Sequence, residues 1–303
     1  MPAAVPRLGK RGRYRMAVIR KVVFPVAGLG TRMLPATRVL PKEMLPVVDK
    51  PIIQYALEEA AEAGCEEFVF VTGRGKTLIE DHFDRAYELF DTLHRKGKEQ
   101  ELAGLEQATP PAGAIVCTRQ QQPLGLGHAV WCARHAVGDE PFGVMLVDDL
   151  IHGKTPCMAQ LADAHAATGG NIVAVMEVAP EHTARYGVLD PGKDDGRLVE
   201  VRGMVEKPKP AEAPSRLAVI GRYILMPEIF DLLAKQQKGA GGEIQLTDAM
   251  AKLIGSQPFH GLRFEGRRFD CGDKLGYLEA IVALALERPD LAQEFASTLR
   301  RYI

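Results

Sequence analysis

Short apolar runs alternate with longer amphipathic runs from residue 18 onward. The first half of the chain carries, in order, KVVFPVAG, PIIQYALEEAAEAG, EEFVFVTG, TLIEDHFDRAYELFDTLHRKG, AIVCTRQ, GHAVWCARHAVG and FGVMLVDD. The odd-numbered segments have the length of buried strands, and the even-numbered ones have the period of helices with one apolar face. This alternation predicts an α/β fold in which a mainly parallel, mixed sheet is flanked by helices.

The second half of the chain follows a different pattern. Three apolar runs predict antiparallel strands that carry substrate loops, and two amphipathic runs predict helices: NIVAVMEV, YGVLD and RLVEVRGMVEKP, then EIQLTDAMAKLIG and KLGYLEAIVALALE. No internal repeat or linker interrupts the pattern. We therefore expect a single domain over residues 16–303, with carboxyl-terminal helices from about residue 273.

The charges are distributed unevenly, although the formal net charge of the 303 residues is only -1. Residues 1–42 contain ten lysines and arginines and no acidic residue. Such a basic amino end suits a nucleic-acid arm, an anionic lipid surface or a small phosphorylated ligand. Within residues 1–15 we expect a flexible tail, because Pro, Gly and basic residues there lack apolar periodicity. Its only aromatic residue is Tyr14, so we expect no nucleic-acid partner.

The cysteines and the hydropathy of the sequence indicate the cellular compartment. The five cysteines are an odd number without a C-x-x-C pair, which argues against a disulfide framework and a thiolate zinc site. No run of 18 apolar residues is present, so we expect no membrane span. These features predict a cytoplasmic protein.

A glycine pair follows the first predicted strand, in the segment AGLGTR. Gly28 and Gly30 allow main-chain N–H groups to approach a phosphate chain without an intervening side chain. Met33 replaces the third glycine of a dinucleotide fingerprint, so that motif fails. Arg32 and Lys42 bring cations into the same loop, which favours phosphate binding. The alternative is a solvated basic loop.

A second glycine segment resembles the end of a phosphate loop. Gly75, Lys76 and Thr77 follow an apolar strand, but Phe70 stands where the P-loop motif needs its first glycine. A P-loop nucleotidase is therefore disfavoured, and we expect Thr77 to cap the following helix.

Gln120 and Gly125 lie between the third predicted strand and the next helix. A glutamine amide offers a donor and an acceptor to a nucleobase edge, and glycine lets the base lie close to the backbone. His128 follows in the first turn of that helix. For this histidine a structural, hydrogen-bonded role is the favoured alternative.

Acidic residues end two predicted strands. Asp148 and Asp149 follow FGVMLV, and Asp270 follows RRF. Carboxylates at the carboxyl edge of a parallel sheet are suitable ligands for Mg²⁺ bound to phosphates. The alternatives are turn or cap roles. Glu206 and Lys207 follow another apolar run, where they would meet sugar hydroxyls and a sugar phosphate, or form a surface ion pair.

Taken together, these segments resemble the sugar-1-phosphate nucleotidyltransferases. The residues that carry the resemblance occur in the family's order between residue 18 and about residue 280: VAGLGTRMLPATRVLPKEMLPVVDKPIIQY, GLGHAV, LVDD, YGVLD, VEKPK, IGRYIL, GEIQLTDA and DCGDKLGY. The resemblance implies the Rossmann-like nucleotide-diphospho-sugar transferase fold. For the uridylyl-transferring members it implies formation of UDP-glucose and pyrophosphate from UTP and glucose 1-phosphate with Mg²⁺, in a homo-oligomer (dimer or tetramer).

The same resemblance implies roles for individual residues. The UTP-binding set is Ala27, Gly28, Leu29, Gly30 and Thr31 with Arg32 and Lys42 on the triphosphate, and Gln120 and Gly125 on the uracil. The glucose 1-phosphate set is Gly187, Glu206 and Lys207, with Glu243 and Asp248 at the border of the sugar pocket. Asp148 would bind Mg²⁺, and Asp270 aligns with a metal ligand of related thymidylyltransferases. The residues implied to act in catalysis are Arg32, Lys42, Asp148 and Lys207.

Three positions depart from the family pattern. Val147 replaces a small or rigid residue beside Asp148, Leu124 replaces a common lysine, and Asp273 replaces a common asparagine. The departure at Leu124 affects the expected affinity for phosphate, and hence the kinetic efficiency, more than the expected type of reaction. Two alternatives stay open: thymidylyl transfer from dTTP, and a catalytically silent relative that binds nucleotide sugars.

Overall fold

The strands are short and most of them are buried. The computed structural model describes residues 19–302, so the tail predicted over residues 1–15 lies outside the described residues. In chain order the strands are β1 (Lys21–Pro25), β2 (Pro46–Val47), β3 (Lys50–Pro51), β4 (Glu67–Thr72), β5 (Ile115–Arg119), β6 (Phe142–Met145), β7 (Asp149–His152), β8 (Asn171–Glu177), β9 (Gly187–Asp194), β10 (Leu198–Glu206), β11 (Leu217–Leu225), β12 (Phe259–Arg263) and β13 (Arg267–Asp270).

Helices lie between several of these strands and after the last one. In chain order they are α1 (Ile52–Glu62), α2 (Thr77–Phe83), α3 (Tyr87–Arg95), α4 (Glu99–Ala108), α5 (Leu126–Cys132), α6 (Arg134–Val137), α7 (Cys157–Thr168), α8 (Ile229–Leu233), α9 (Leu246–Leu253), α10 (Lys274–Glu287) and α11 (Ala292–Leu299). Within residues 19–302, no helix is both long and apolar enough to cross a membrane.

One mixed sheet organises the described residues. Within residues 19–302 it has nine strands in the order β5-β4-β1-β6-β11-β8-β12-β10-β9. The strands β5, β4, β1 and β6 are mutually parallel, as are β8 and β12, whereas β11 and β10 run antiparallel to their neighbours. Most strands thus point in one direction, and the predicted mainly parallel α/β fold is confirmed.

Apolar side chains cover both faces of this sheet. In β1, Val22 and Phe24 join one buried cluster and Val23 joins the other, as the two-residue period of a strand requires. Helices α1, α7 and α10 contribute to the first cluster, and α5, α8 and α9 contribute to the second. Burial on both faces explains why the central strands appear in the sequence as continuous apolar runs.

Some predicted segments are divided in the structure. The run FGVMLVDD was predicted as one strand, but β6 ends at Met145 and Asp149 begins β7, which pairs with β13 instead of the main sheet. The run TLIEDHFDRAYELFDTLHRKG gives α2 and α3, and GHAVWCARHAVG gives α5 and α6. The predicted capping role of Thr77 is wrong, because α2 begins without a side-chain cap.

Candidate active site

The loop after β1 lies at the carboxyl edge of the sheet. Gly30 has φ 66°, and an ideal Cβ placed on it would lie 3.0 Å from Lys42 Cβ, so glycine satisfies both the backbone conformation and the close contact. Thr37 Oγ1 donates to the Gly30 carbonyl oxygen at 2.7 Å, which fixes the turn. Around Gly28, by contrast, a Cβ would meet nothing within 4 Å. The backbone there is open to an approaching ligand.

Lys42 reaches from this loop to the segment after β6. Its Nζ lies 2.6 Å from Asp148 Oδ2, and an Arg32 terminal nitrogen lies 3.8 Å from the same oxygen. Burial opposes the charge of Asp148, but the Lys42 ammonium, a backbone hydrogen bond and Arg32 together outweigh that effect and lower the pKa of the carboxyl group. The same partnership raises the pKa of Lys42 against the effect of burial. Both groups are therefore charged at neutral pH.

Asp270 faces Asp148 across Gly272. An ideal Cβ on Gly272 would lie 2.7 Å from Asp148 Oδ2, 2.7 Å from an Arg32 terminal nitrogen and 3.2 Å from Asp270 Oδ1. The backbone holds this arrangement, because Cys271 N donates to the Asp148 carbonyl oxygen at 2.7 Å and Gly272 N donates to Asp270 Oδ1 at 3.1 Å. Two carboxylate oxygens thus border one small space.

Asp149 has different surroundings from its neighbour. Its Oδ2 accepts from Gly221 N at 3.0 Å, and its Oδ1 accepts from Arg268 Nε at 2.6 Å. Burial raises the pKa of Asp149, although Arg268 opposes the shift. Asp149 therefore holds the turn before β7 against β11 and β13, and its carboxylate oxygens already have partners.

Arg185 and Tyr186, just before β9, contact the Asp270 side of the site through two arginine side chains. Arg185 donates to Asp270 Oδ2 at 3.2 Å, and Arg268 donates to the Tyr186 hydroxyl oxygen at 3.0 Å. Lys207 has φ 47°, and its backbone N donates to the Tyr186 carbonyl oxygen at 2.9 Å. These contacts join the predicted sugar-binding loops to the Asp148 and Asp270 region.

Gly187 and Glu206 are paired across β9 and β10. An ideal Cβ on Gly187 would lie 3.0 Å from Thr247 Oγ1 and 3.4 Å from Glu206 Oε2, so a side chain at this position would crowd Thr247 and contact the Glu206 carboxylate. Glu206 Oε1 forms an ion pair with Lys207 Nζ at 3.2 Å. Burial and the nearby Glu206 raise the pKa of Asp248. Glu206, Lys207 and Asp248 therefore belong to one charged group.

Gln120 and Gly125 are also brought together. Gln120 Nε2 donates to the Gly125 carbonyl oxygen at 2.9 Å and lies 3.1 Å from His128 Nδ1. Gly125 has φ 108°, and a Cβ on it would lie 2.8 Å from the Glu243 Cβ. The backbone carbonyl of Leu124 accepts from Ile244 N at 2.7 Å. The family departure at Leu124 thus keeps a backbone role that any residue can supply.

The other two departures have structural roles as well. Val147 is buried beside Asp148, and Asp273 caps α10 by accepting from Leu275 N at 2.9 Å. Sequence reasoning missed Arg185, Arg268 and Gly272 as site residues. The segment RRFDCGD singled out Asp270, but only the pairing of β13 with β7 shows that Arg268 and Gly272 surround the same carboxylates.

The acidic residues meet a metal requirement only in part. Within residues 19–302, no cluster of three or more His, Cys, Asp or Glu side chains is arranged to hold a metal ion. Mg²⁺ at phosphate sites commonly uses one or two carboxylates and takes its other ligands from phosphates and water. The Asp148 and Asp270 oxygens around Gly272 fit a Mg²⁺ site of this kind, with two carboxylates and the other ligands supplied by phosphates and water.

A family model and the relatives of similar sequence indicate the same family. The nucleotidyl transferase family model matches residues 21–286. A UTP–glucose-1-phosphate uridylyltransferase of Komagataeibacter xylinus is 54% identical over 85% of this chain and 90% of its own length. One of Bacillus subtilis is 50% identical over 92% of this chain and 95% of its own length.

Solved structures agree with these relatives. A UTP-bound UGPase from Acinetobacter baumannii has a TM-score of 0.86 and 41% identity, over 93% of this chain and 98% of that chain. A UDP-glucose pyrophosphorylase complexed with UDP-glucose has a TM-score of 0.81 and 43% identity, over 89% of this chain and 100% of that chain. The chain therefore belongs to the nucleotidyl transferase family, within the group of bacterial UTP–glucose-1-phosphate uridylyltransferases.

Proposed function

We propose that this chain transfers UMP from UTP to glucose 1-phosphate, giving UDP-glucose and pyrophosphate. The observation that carries the proposal is the arrangement of Lys42 and Arg32 beside Asp148, opposite Asp270 across Gly272. The names of the relatives and the UTP and UDP-glucose in two similar structures support the choice of substrates.

The nucleotide would lie along the loop after β1. Main-chain groups from Ala27 to Thr31 would contact the triphosphate, because the backbone at Gly28 is open and Gly30 fixes the turn. Arg32 and Lys42 would balance the phosphate charge. Gln120 and Gly125 would contact the uracil.

Asp148 and Asp270 would hold Mg²⁺ together with the phosphates. When bound, the ion would supply positive charge against the α-phosphate and the departing pyrophosphate. Lys42 is within hydrogen-bond distance of Asp148 and would keep that carboxylate charged and oriented. Arg185 would orient Asp270 in the same way.

The reaction requires no side-chain base. The second pKa of a phosphate monoester is about 6, so the sugar phosphate is already largely a dianion at pH 7. Gly187, Glu206 and Lys207 would hold glucose 1-phosphate so that one phosphate oxygen faces the α-phosphorus in line with the leaving pyrophosphate. Arg32, Lys42 and Lys207 would lower the barrier by placing positive charge near the oxygens that share negative charge in the transition state.

A panel of substrates tests the proposal. Pyrophosphate release from each of four nucleoside triphosphates would be measured with several sugar 1-phosphates, in the presence and absence of Mg²⁺. We expect UTP with glucose 1-phosphate to give the highest kcat/KM. Turnover of dTTP but not UTP would identify a thymidylyltransferase, and absence of turnover with every pair would identify a catalytically silent relative.

The assembly and the compartment of the protein are further proposals. We propose a homo-oligomer in the cytoplasm. In the described part of α10, Leu275 and Leu278 are 75% and 57% exposed one helical turn apart, which suits contact with a second copy. Sedimentation velocity would report the assembly, and a monomer at micromolar concentration would contradict it.

A further inference from the structure

A cavity of about 360 Å³ lies between the edge strand β5 and the outer face of α5. Its lining includes Arg119, Arg134, His128 and His135, and none of the described residues that line it is acidic. The volume falls within the range of small-molecule pockets, roughly 300–1,000 Å³. The cavity is separate from the Asp148 and Asp270 region, since none of its lining residues contacts either carboxylate.

Two arginines at the rim of the cavity differ in their contacts. The Arg134 guanidinium lies 3.6 Å from the centre of the Trp131 ring, and its Nη1 donates to the Trp131 carbonyl oxygen at 3.2 Å. The contact with the ring orients the guanidinium before any ligand arrives. Arg119 is exposed at the end of β5, and within residues 19–302 its guanidinium has no hydrogen-bond or ion-pair partner. An arginine in this state is ready to bind an anion in a bidentate manner.

We propose that this cavity is a second ligand site, for a small phosphorylated anion, and that its occupancy weakens nucleotide binding. Arginine guanidinium groups match the geometry of phosphate oxygens. The two histidines add further donors, and the amide-bearing Gln121 and Gln122 complete a polar wall.

The route from this cavity to the nucleotide passes through one histidine. His128 lines the cavity, and its Nδ1 lies 3.1 Å from Gln120 Nε2, whose hydrogens leave it only a donor role. Gln120 also donates to the Gly125 carbonyl oxygen. The ring can accept from Gln120 only when Nδ1 is unprotonated, so the charge state of His128 affects the orientation of the Gln120 amide.

The surroundings of His128 favour the neutral ring while the cavity is empty. Burial lowers the pKa of His128. The nearest neighbours of the ring are Gln120, the Trp131 indole at a centroid distance of 5.9 Å and the Cys132 thiol, with Sγ 3.9 Å from Nδ1. The charged or titratable groups that line the same cavity are Arg119, Arg134 and His135, and the two arginines also favour the neutral ring. A phosphoryl anion beside the ring would favour the protonated form, which cannot accept from Gln120. Gln120 would then lose one of its two restraints.

Trp131 allows this binding to be measured without any activity assay, since it is the only tryptophan in the sequence. Intrinsic fluorescence would be followed during titration with inorganic phosphate or pyrophosphate at constant ionic strength. We expect a saturable change in the unmodified protein. Arg119→Gln should raise the apparent Kd about tenfold or more, the scale of one lost charged contact.

Two further variants locate the signal. Arg95→Gln removes an exposed arginine from α3 and should leave the Kd unchanged. Lys42→Met removes a cation of the triphosphate loop and should also leave it unchanged. A response that is lost in Lys42→Met but kept in Arg119→Gln would overturn the proposal, as would the absence of a saturable change up to roughly 10 mM anion.

The coupling to the nucleotide rests on the proposed function and has its own readout. Inorganic phosphate should raise KM for UTP more in the unmodified protein than in Arg119→Gln. An equal effect in the two proteins would overturn the coupling. Failure of the proposed function would instead remove turnover from both proteins while the fluorescence response remained.

Discussion

Asp148 and Asp149 are adjacent in the chain but have opposite pKa shifts. The Lys42 ammonium keeps Asp148 ionised despite burial, whereas burial outweighs Arg268 at Asp149 and raises its pKa. The sequence shows two aspartates at the end of an apolar run and cannot separate them. Their difference arises from partners 106 and 119 residues away in the chain.

The role of Asp148 is tested by Asp148→Asn. We expect pyrophosphate release with Mg²⁺ to fall at least about 100-fold, the scale of removing one electrostatic contact from a transition state. The fold should be retained, because asparagine has the same shape. Asp139→Asn, which changes an exposed aspartate after α6, serves as the control and should leave the rate unchanged. Activity that persists in Asp148→Asn would contradict the metal assignment.

Gly272 gives a test of the space between the carboxylates. In Gly272→Ala the added Cβ would lie 2.7 Å from both Asp148 Oδ2 and an Arg32 terminal nitrogen, so these groups must move. We expect a lower kcat and a higher Mg²⁺ concentration at half-maximal activity, measured by pyrophosphate release.

Gly104→Ala is the matched control for that change. Its Cβ would meet nothing within 4 Å in α4, so activity should be unchanged and unfolding free energy should rise by about 0.5–1 kcal/mol. Equal activity in the two glycine variants would show that the space at Gly272 is not used.

A buried ion pair joins several elements behind the site. Arg222 on β11 donates to both carboxylate oxygens of Glu59 on α1, and its Nη1 also donates to the Leu146 carbonyl oxygen at 3.0 Å. Glu59 Oε1 in turn accepts from Met158 N at the start of α7. The pair therefore helps to fix the segment that carries Asp148.

We expect Arg222→Met to lower the unfolding free energy by about 3–5 kcal/mol, because Glu59 would remain buried without its partner. Urea denaturation would measure the change. The double variant with Glu59→Leu should lose less unfolding free energy than the two single variants lose in sum, because neither charge is then buried without a partner. Additive losses would show that the two residues do not act as a pair.

A contact between α1 and α2 predicts that the stability of the fold depends on pH. His82 Nε2 lies 3.0 Å from Gln54 Oε1, and burial lowers the pKa of His82 below its ordinary value of 6.5. The unfolded chain therefore binds this proton more readily, so the contribution of His82 to stability is lost as the pH falls below about 6.5.

We expect His82→Gln to lose less stability than the unmodified protein between pH 7 and pH 5, measured by thermal unfolding across that range. His94→Gln, an exposed histidine on α3, is the matched control. A pH dependence that is identical in His82→Gln and the unmodified protein would contradict the assignment.

Across the whole molecule, the sequence predicts the architecture better than the details of the site. Buried strands such as β1 and β8 carry apolar runs that need no partner to be recognised, and the glycine loop follows directly from the first of them. The division of FGVMLVDD could not be predicted, because β7 exists only through pairing with β13, more than 100 residues later. The same pairing places Arg268 and Gly272, which local sequence patterns do not reveal.

Most of the basic amino end lies outside the described residues. Residues 1–15 contain five of the ten cations in the first 42 residues, whereas Arg32 and Lys42 lie inside the site. Charges beyond about 8 Å in solution are largely screened at physiological ionic strength. The sequence predicts a flexible tail over residues 1–15, whose charges would be screened in this way, so we expect a chain that lacks these residues to retain its kcat/KM for UTP at 150 mM salt. A full-length chain with those five cations replaced by glutamine should behave in the same way, and a large loss in both would assign the basic residues a part in nucleotide binding.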